Sequence, residues 1–205
     1  MNKLLPSWQR AWAGIGASGD GDALYASLLA RYSEPQRHYH TLQHLGECLA
    51  MFDEVRGLAQ RPHEVELALW FHDAIYEVKR SDNEERSADW ARAELLQADV
   101  DANSAGRMHA LIMATLHTAV PVLADEQLLV DIDLSILGAE TERFAEYELQ
   151  IRQEYAFVPK WLFRRKRRAI LQGFLDRPAI YSTAYFCAML EQRARENLQR
   201  AIATA

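Results

Sequence analysis

Cysteine, glycine and proline are scarce here, and no apolar run is long; each shortage narrows what the chain can be. Only two cysteines occur in 205 residues, Cys48 and Cys187. Both fall inside helical apolar patterns without framework spacing, so they read as buried thiols of a reduced compartment rather than a disulfide scaffold. No window approaches the roughly 20 apolar residues a bilayer-spanning helix needs. Residues Met1 to Gly16 carry one Lys, an early Pro6 and the Gln9-Arg10 pair, without the apolar stretch of a secretion signal. The expectation is a cytoplasmic chain with no membrane partner.

Excess positive charge is also missing. Lys and Arg total 23 against 29 Asp and Glu, a formal charge of −6, which argues against a general nucleic-acid binder. The run Arg164-Arg165-Lys166-Arg167-Arg168 does not change this, because five consecutive helical residues point in every direction. It reads as a solvated or ion-paired face. One small anionic ligand in a cleft remains compatible with the charge.

What is present is apolar content of 49% and five Trp, enough for one well-packed core in a single domain of residues 1–205. Four of the nine glycines, at 14, 16, 19 and 21, mark one loop, which sets a short leading helix apart from the rest. Beyond it apolar residues recur at three- and four-residue spacing, as in Leu45, Cys48, Leu49, Phe52 and Val55. Further helices are expected over Val65 to Glu77, Glu84 to Gln97, Ser104 to Leu116, Val122 to Leu137, Thr141 to Phe157, Lys160 to Leu175 and Tyr181 to Ala203, with Pro159 and Pro178 as punctuation. No strand, repeat or low-complexity tract is evident. The fold class is all-α.

Three of these helices carry polar residues where the pattern demands apolar ones. The segment Leu67-Ala68-Leu69-Trp70-Phe71 is apolar on nearly every side, yet runs into His72-Asp73. A buried carboxylate without partners costs several kcal/mol, so Asp73 needs a cation or several donors. His44 shares its helical face with Cys48, Met51 and Val55 and points inward. A core imidazole bonded to a backbone carbonyl is the plainer account of a single inward His. In Leu128-Leu129-Val130-Asp131-Ile132-Asp133-Leu134 the two Asp lie about 200° apart on a helix, so only one of them faces any one site. Imidazoles and carboxylates without thiolate suit a borderline or hard divalent ion, and two His with two Asp leave coordination positions open for water.

The order His, His-Asp, Asp on successive helices resembles the HD superfamily of metal-dependent phosphohydrolases. The pieces that carry the likeness are Tyr39-His40-Thr41-Leu42-Gln43-His44, Trp70-Phe71-His72-Asp73 and Asp133-Leu134-Ser135. The last is similar to the Asp-Leu-Ser at the final ligand of helical cyclic-nucleotide phosphodiesterases, which selects Asp133 over Asp131. The runs Glu34-Pro35-Gln36-Arg37-His38-Tyr39-His40, Phe71-His72-Asp73-Ala74-Ile75-Tyr76, Asp82-Asn83-Glu84-Glu85-Arg86-Ser87-Ala88, Ile151-Arg152-Gln153-Glu154-Tyr155 and Ala194-Arg195-Glu196-Asn197-Leu198 look like a bacterial branch of predicted HD phosphohydrolases. The resemblance implies one HD-type helical domain, with its metal core over about 37–138 and extra C-terminal helices over about 139–205. It implies a divalent ion (Mn, Mg, Zn, Fe, Ni or Co) on His44, His72, Asp73 and Asp133, and a small phosphorylated metabolite or nucleotide as substrate. A homo-oligomer stays open.

Further roles follow from that likeness. Asp73 is expected to be ligand and water orienter, and Glu84 a proton donor to the leaving group, with helix capping as the plainer role. His40 is a ligand, an outer hydrogen-bond donor or a cap. His117, like His109, occupies the interval where dinuclear members place extra ligands, though His117 also suits a helix end. Arg37 either grips a phosphate through its fork or pairs with a nearby carboxylate. Asp131, with His40, His117 and Arg37, completes the set for a second ion or the substrate. The Glu that monophosphate-specific nucleotidases carry three residues after the HD Asp is replaced by Tyr76, so their substrate does not transfer. Di-iron oxygen chemistry and a non-catalytic nucleotide- or metal-sensing module are the alternatives.

Overall fold

The computed structural model describes residues 4–204; the expectations that fall on residues 1–3 and 205 lie outside them. Ten α-helices follow one another, with no strand among the described residues. They are α1 (Leu4–Gly14), α2 (Asp22–Tyr32), α3 (Leu42–Val55), α4 (Pro62–Phe71), α5 (Asn83–Gln97), α6 (Ala102–Met113), α7 (Ala124–Asp133), α8 (Thr141–Glu154), α9 (Lys160–Leu175) and α10 (Ala184–Thr204). Short 3-10 turns extend α3, α6 and α7. No helix among the described residues is long and apolar enough to cross a membrane.

The chain divides into two compact units between Ile132 and Asp133, at the last residue of α7. In the first unit α4 is the central element: every residue from Glu64 to Phe71 is buried. Pro62 opens the helix at a position whose N–H has no helical partner. Its two buried carboxylates are each met by a cation. Glu66, 0% exposed, accepts from Ser7 Oγ at 2.7 Å and from Arg10, while Glu64 takes the guanidinium of Arg107. Helices α1, α3 and α6 pack on α4, and α5 packs on α6. The glycine loop is present as expected. Gly21 has φ +69°, and a Cβ there would stand 2.9 Å from the Trp12 ring, so both backbone and space require glycine.

Helix α2 was not foreseen from the pattern; its buried face is narrow, only Leu24, Leu28 and Tyr32. The expected helix to Glu77 stops at Phe71 instead. Side chains take the carbonyls that a longer helix would use: Tyr32 Oη donates to Trp70 O, and Arg37 donates to Asp73 O and Ala74 O. Helix α8 ends at Glu154 for a similar reason, with Arg152 donating to Tyr155 O and Val158 O. Helix α10 starts three residues later than expected because Glu191 accepts from the backbone N–H groups of Ile180 and Tyr181.

In the second unit α10 packs against the 3-10 turn Leu134–Gly138 and against α9. Buried Asn197 donates from Nδ2 to Leu137 O and Ala139 O, 2.9 Å each. Of the basic run on α9, Arg167 is buried, paired with Glu148 and over the Tyr147 ring, while Arg164, Arg165, Lys166 and Arg168 are exposed. The two cysteines are free, as expected, but Cys187 is only half-buried and bonds Tyr181 O.

Candidate metal centre

Thr41 caps α3 by accepting the N–H of Gln43, which starts the helix at Leu42, two residues before His44. From there His44, Leu45, Cys48, Leu49, Phe52 and Val55 form the buried face. His72 is the residue on which α4 ends, and Asp73 follows in the turn. Asp133 is the last residue of α7 and is placed by that helix.

His44 Nε2 stands 3.1 Å from His72 Nε2. Asp73 Oδ2 is 3.4 Å from the first and 3.1 Å from the second. With metal–ligand bonds of about 2.1 Å, neighbouring donors are about 3.0 Å apart around an octahedral ion and about 3.4 Å around a tetrahedral one. All three edges of this triangle fall in that interval. One donor atom each from His44, Cys48, His72 and Asp133 also lie within 4.8 Å of one another. This cluster of His, Cys and Asp side chains could bind a metal ion.

The hydrogen-bond chemistry of the triangle fits a cation. His72 Nδ1 lies 2.7 Å from Leu69 O, an acceptor only, so Nδ1 carries the proton in the neutral ring and Nε2 presents its lone pair inward. A single N–H on His44 Nε2 can point at His72 or at Asp73, not both. A divalent ion at the centre satisfies all three atoms at once. Burial by itself raises the pKa of the Asp73 carboxyl. The neighbouring imidazoles of His72, His40 and His44 act the other way when they carry a proton, and the net effect holds it well below the ordinary carboxylate range. The carboxylate form is the one that ligates.

The turn bearing Asp73 is fastened from behind. Arg37, with 0% side-chain exposure, donates to Asp73 O at 2.6 Å, Ala74 O at 2.9 Å and His40 O at 3.2 Å, and its Nε faces Glu34. Its guanidinium also lies over the rings of Tyr32 and Tyr76. The fork is thus committed to the protein's own carbonyls and to Glu34: of the two roles expected for Arg37, the pairing with a nearby carboxylate is the one present. Tyr32 Oη accepts the N–H of Asp73 while donating to Trp70 O; burial pushes its phenol up to about 12.

Comparison with known proteins returned no match, neither a family model, nor a curated protein, nor a solved structure.

Of the four residues expected to share an ion, His44, His72 and Asp73 form the triangle above, and Asp133 has a donor atom within 4.8 Å of those of His44 and His72. Of the two acids on α7, Asp133 joins the histidines, and Asp131 is 0% exposed elsewhere on the helix. His40 precedes α3 rather than sitting on it; its ring stacks on Tyr76 with centroids 3.9 Å apart, outside the donor group. His117 closes the 3-10 turn after α6 with φ +54°, and His109 faces Asp89 at 3.3 Å. Glu84 lies in the first turn of α5, half-buried and outside the group. The residue missed was Cys48. It stands one turn after His44 on the same face, and that spacing was the signal; the donor set is not free of sulfur, as had been expected.

Proposed function

We propose that the chain is a metal-dependent hydrolase of a small phosphorylated metabolite or nucleotide, of the HD phosphohydrolase type. The observation that supports this best is the triangle of His44 Nε2, His72 Nε2 and Asp73 Oδ2, with edges of 3.1 to 3.4 Å. These atoms and Asp133 would hold the divalent ion, which when bound would supply Lewis acidity to a phosphoryl oxygen and lower the pKa of a water beside it.

The chain's own groups divide the remaining work. His72 holds its inward lone pair because its other nitrogen is fixed to Leu69 O. Asp73 stays anionic, so its second carboxylate oxygen could accept a hydrogen bond from the attacking water and align it. Arg37 and Tyr32 are positioning residues: through the backbone of Asp73 they set where that carboxylate stands. His40, held flat against Tyr76, could donate a hydrogen bond to an anionic substrate edge. Protonation of the leaving group is assigned to Glu84 on the resemblance alone.

The test is a panel of phosphomonoesters, phosphodiesters and nucleotides assayed with added Mn(II), Co(II), Mg(II) or Zn(II). Metal-dependent phosphate release is expected on some member and should vanish in Asp73→Ala and His72→Ala. Release that survives Asp73→Ala, or that does not depend on metal, contradicts the proposal.

A further inference from the structure

Side chains of α5 fasten the segment that leaves the candidate centre. The N–H of Ile75 donates to Ser87 Oγ at 3.0 Å, and the Ser87 hydroxyl donates to Ile75 O at 3.4 Å. Two residues on, the N–H of Glu77 donates to Asn83 Oδ1 and Asn83 Nδ2 donates to Glu77 O, both at 3.1 Å. Tyr76, between them, lies against His40 with ring centroids 3.9 Å apart and planes 28° from parallel. We propose that Asn83 and Ser87 are positioning residues for the substrate side of the centre: they set Tyr76, and through its ring they set where His40 meets the substrate. The proposal rests on the reading of the triangle of His44, His72 and Asp73 as a metal centre, and separates the residues that serve the substrate from those that serve the ion.

Two repeats match here. Asn83 and Ser87 are four apart on a helix, about 6 Å along its axis, and residues 75 and 77 are two apart in a chain that rises about 3.3 Å per residue when extended. Each side chain can therefore meet the N–H and the C=O of one residue, as a neighbouring strand does at alternate positions. Helix α5 stands in for that strand. Asn83 opens the helix, yet spends both ends of its amide on Glu77 rather than on its own turn.

Burial makes these bonds matter. Asn83 is 8% exposed and Ser87 0%, so truncating either leaves a backbone N–H and C=O short of a partner in a dry setting. The exposed ion pair of Arg86 with Glu77, 2.6 Å long, adds little beside them. The two fastenings around the centre also hold different atoms. Arg37 and Tyr32 bond the backbone of Asp73 and Ala74, which carries a donor of the triangle, whereas Asn83 and Ser87 bond residues 75 and 77, in a segment that carries none. Loosening the second should reach Tyr76 and His40 and leave the ion's donors in place.

Two measurements on the intact chain loaded with Zn(II) test this. In proton–carbon spectra of the histidine rings, the His40 signal, assigned by its loss in His40→Asn, is expected upfield because the Tyr76 ring covers it. It should move downfield in Tyr76→Leu, Asn83→Ala and Ser87→Ala. Calorimetry with inorganic phosphate as the probe should show binding weakened about fivefold in the same variants, while Zn(II) affinity stays within about twofold. A His40 signal that keeps its place in Asn83→Ala and Ser87→Ala, or an unchanged phosphate affinity, overturns the proposal and leaves the metal centre standing. So does Zn(II) affinity that falls in step with phosphate affinity, since the segment then belongs to the ion's own support. No Zn(II) binding by the wild-type chain overturns the metal centre and the proposal together. Tyr76→Leu, at a half-buried position, decides the matter where an α5 variant does not fold.

Discussion

Arg37 donates a 2.6 Å hydrogen bond to the backbone oxygen of Asp73, 36 residues further along the chain. A cation buried beneath the candidate centre therefore fixes its carboxylate without touching the carboxylate itself. The same guanidinium reaches Ala74 O and His40 O, so one side chain ties the turn after α4 to the turn before α3.

Removing that clamp should cost stability and metal affinity together. Arg37→Ala leaves three backbone oxygens short of a charged donor, at a cost of about 3 kcal/mol. Thermal melting with and without metal checks it. Arg37→Lys should recover little, since an ammonium cannot span the same three acceptors with a planar fork.

The phenol of Tyr32 predicts an alkaline limit. Its pKa is raised to about 12 in the folded chain, mainly by burial, against about 10 unfolded. A raised pKa means the folded state keeps a proton that the unfolded state releases. The stabilisation is complete below pH 10 and is lost as pH climbs towards 12, by about 3 kcal/mol from this group. Chemical denaturation between pH 9 and 12 should show a shallower decline in Tyr32→Phe than in wild type. An equal decline would contradict the assignment.

Much of this was legible in the sequence, for reasons that differ between residues. His44 and the His72-Asp73 pair stood out because polar groups interrupted strongly apolar helices, and the structure gathers them. Asp133 was separable from Asp131 only by resemblance, since helical geometry says that one of the two faces the site without saying which. Helix ends were misread where a distant side chain claims the backbone: nothing near Glu77 announces that Arg37 takes Asp73 O and Ala74 O, or near Ile180 that Glu191 binds its N–H. Arg37 was left open between a phosphate and a carboxylate, and the structure pairs it with Glu34 and with backbone oxygens. Its fork suits a phosphate and a row of carbonyls equally well, and only the fold decides between them.

The Arg10–Glu66 pair should matter for folding alone. Arg10→Met leaves Glu66 fully buried with only Ser7 and a distant Arg56 as partners. The expected loss is about 2 kcal/mol, discounted because the Arg10 side chain is 35% exposed. Metal stoichiometry should not change. A fall in metal content at unchanged folding would show that the two clusters are linked.

Helix α3 carries His44, so its cap is a remote handle on the centre. Thr41→Ala should destabilise by about 1 kcal/mol and weaken metal binding by at most about fivefold, measured by calorimetry. Thr41→Ser, which keeps the hydroxyl acceptor, should restore both.

The central claim is that His44, His72 and Asp73 share one divalent ion. Anomalous diffraction from crystals grown with Co(II) or Zn(II) tests it most directly. One peak is expected within about 2.3 Å of both Nε2 atoms and of Asp73 Oδ2. A map in which the only anomalous density lies elsewhere, with the three side chains unligated, contradicts the account.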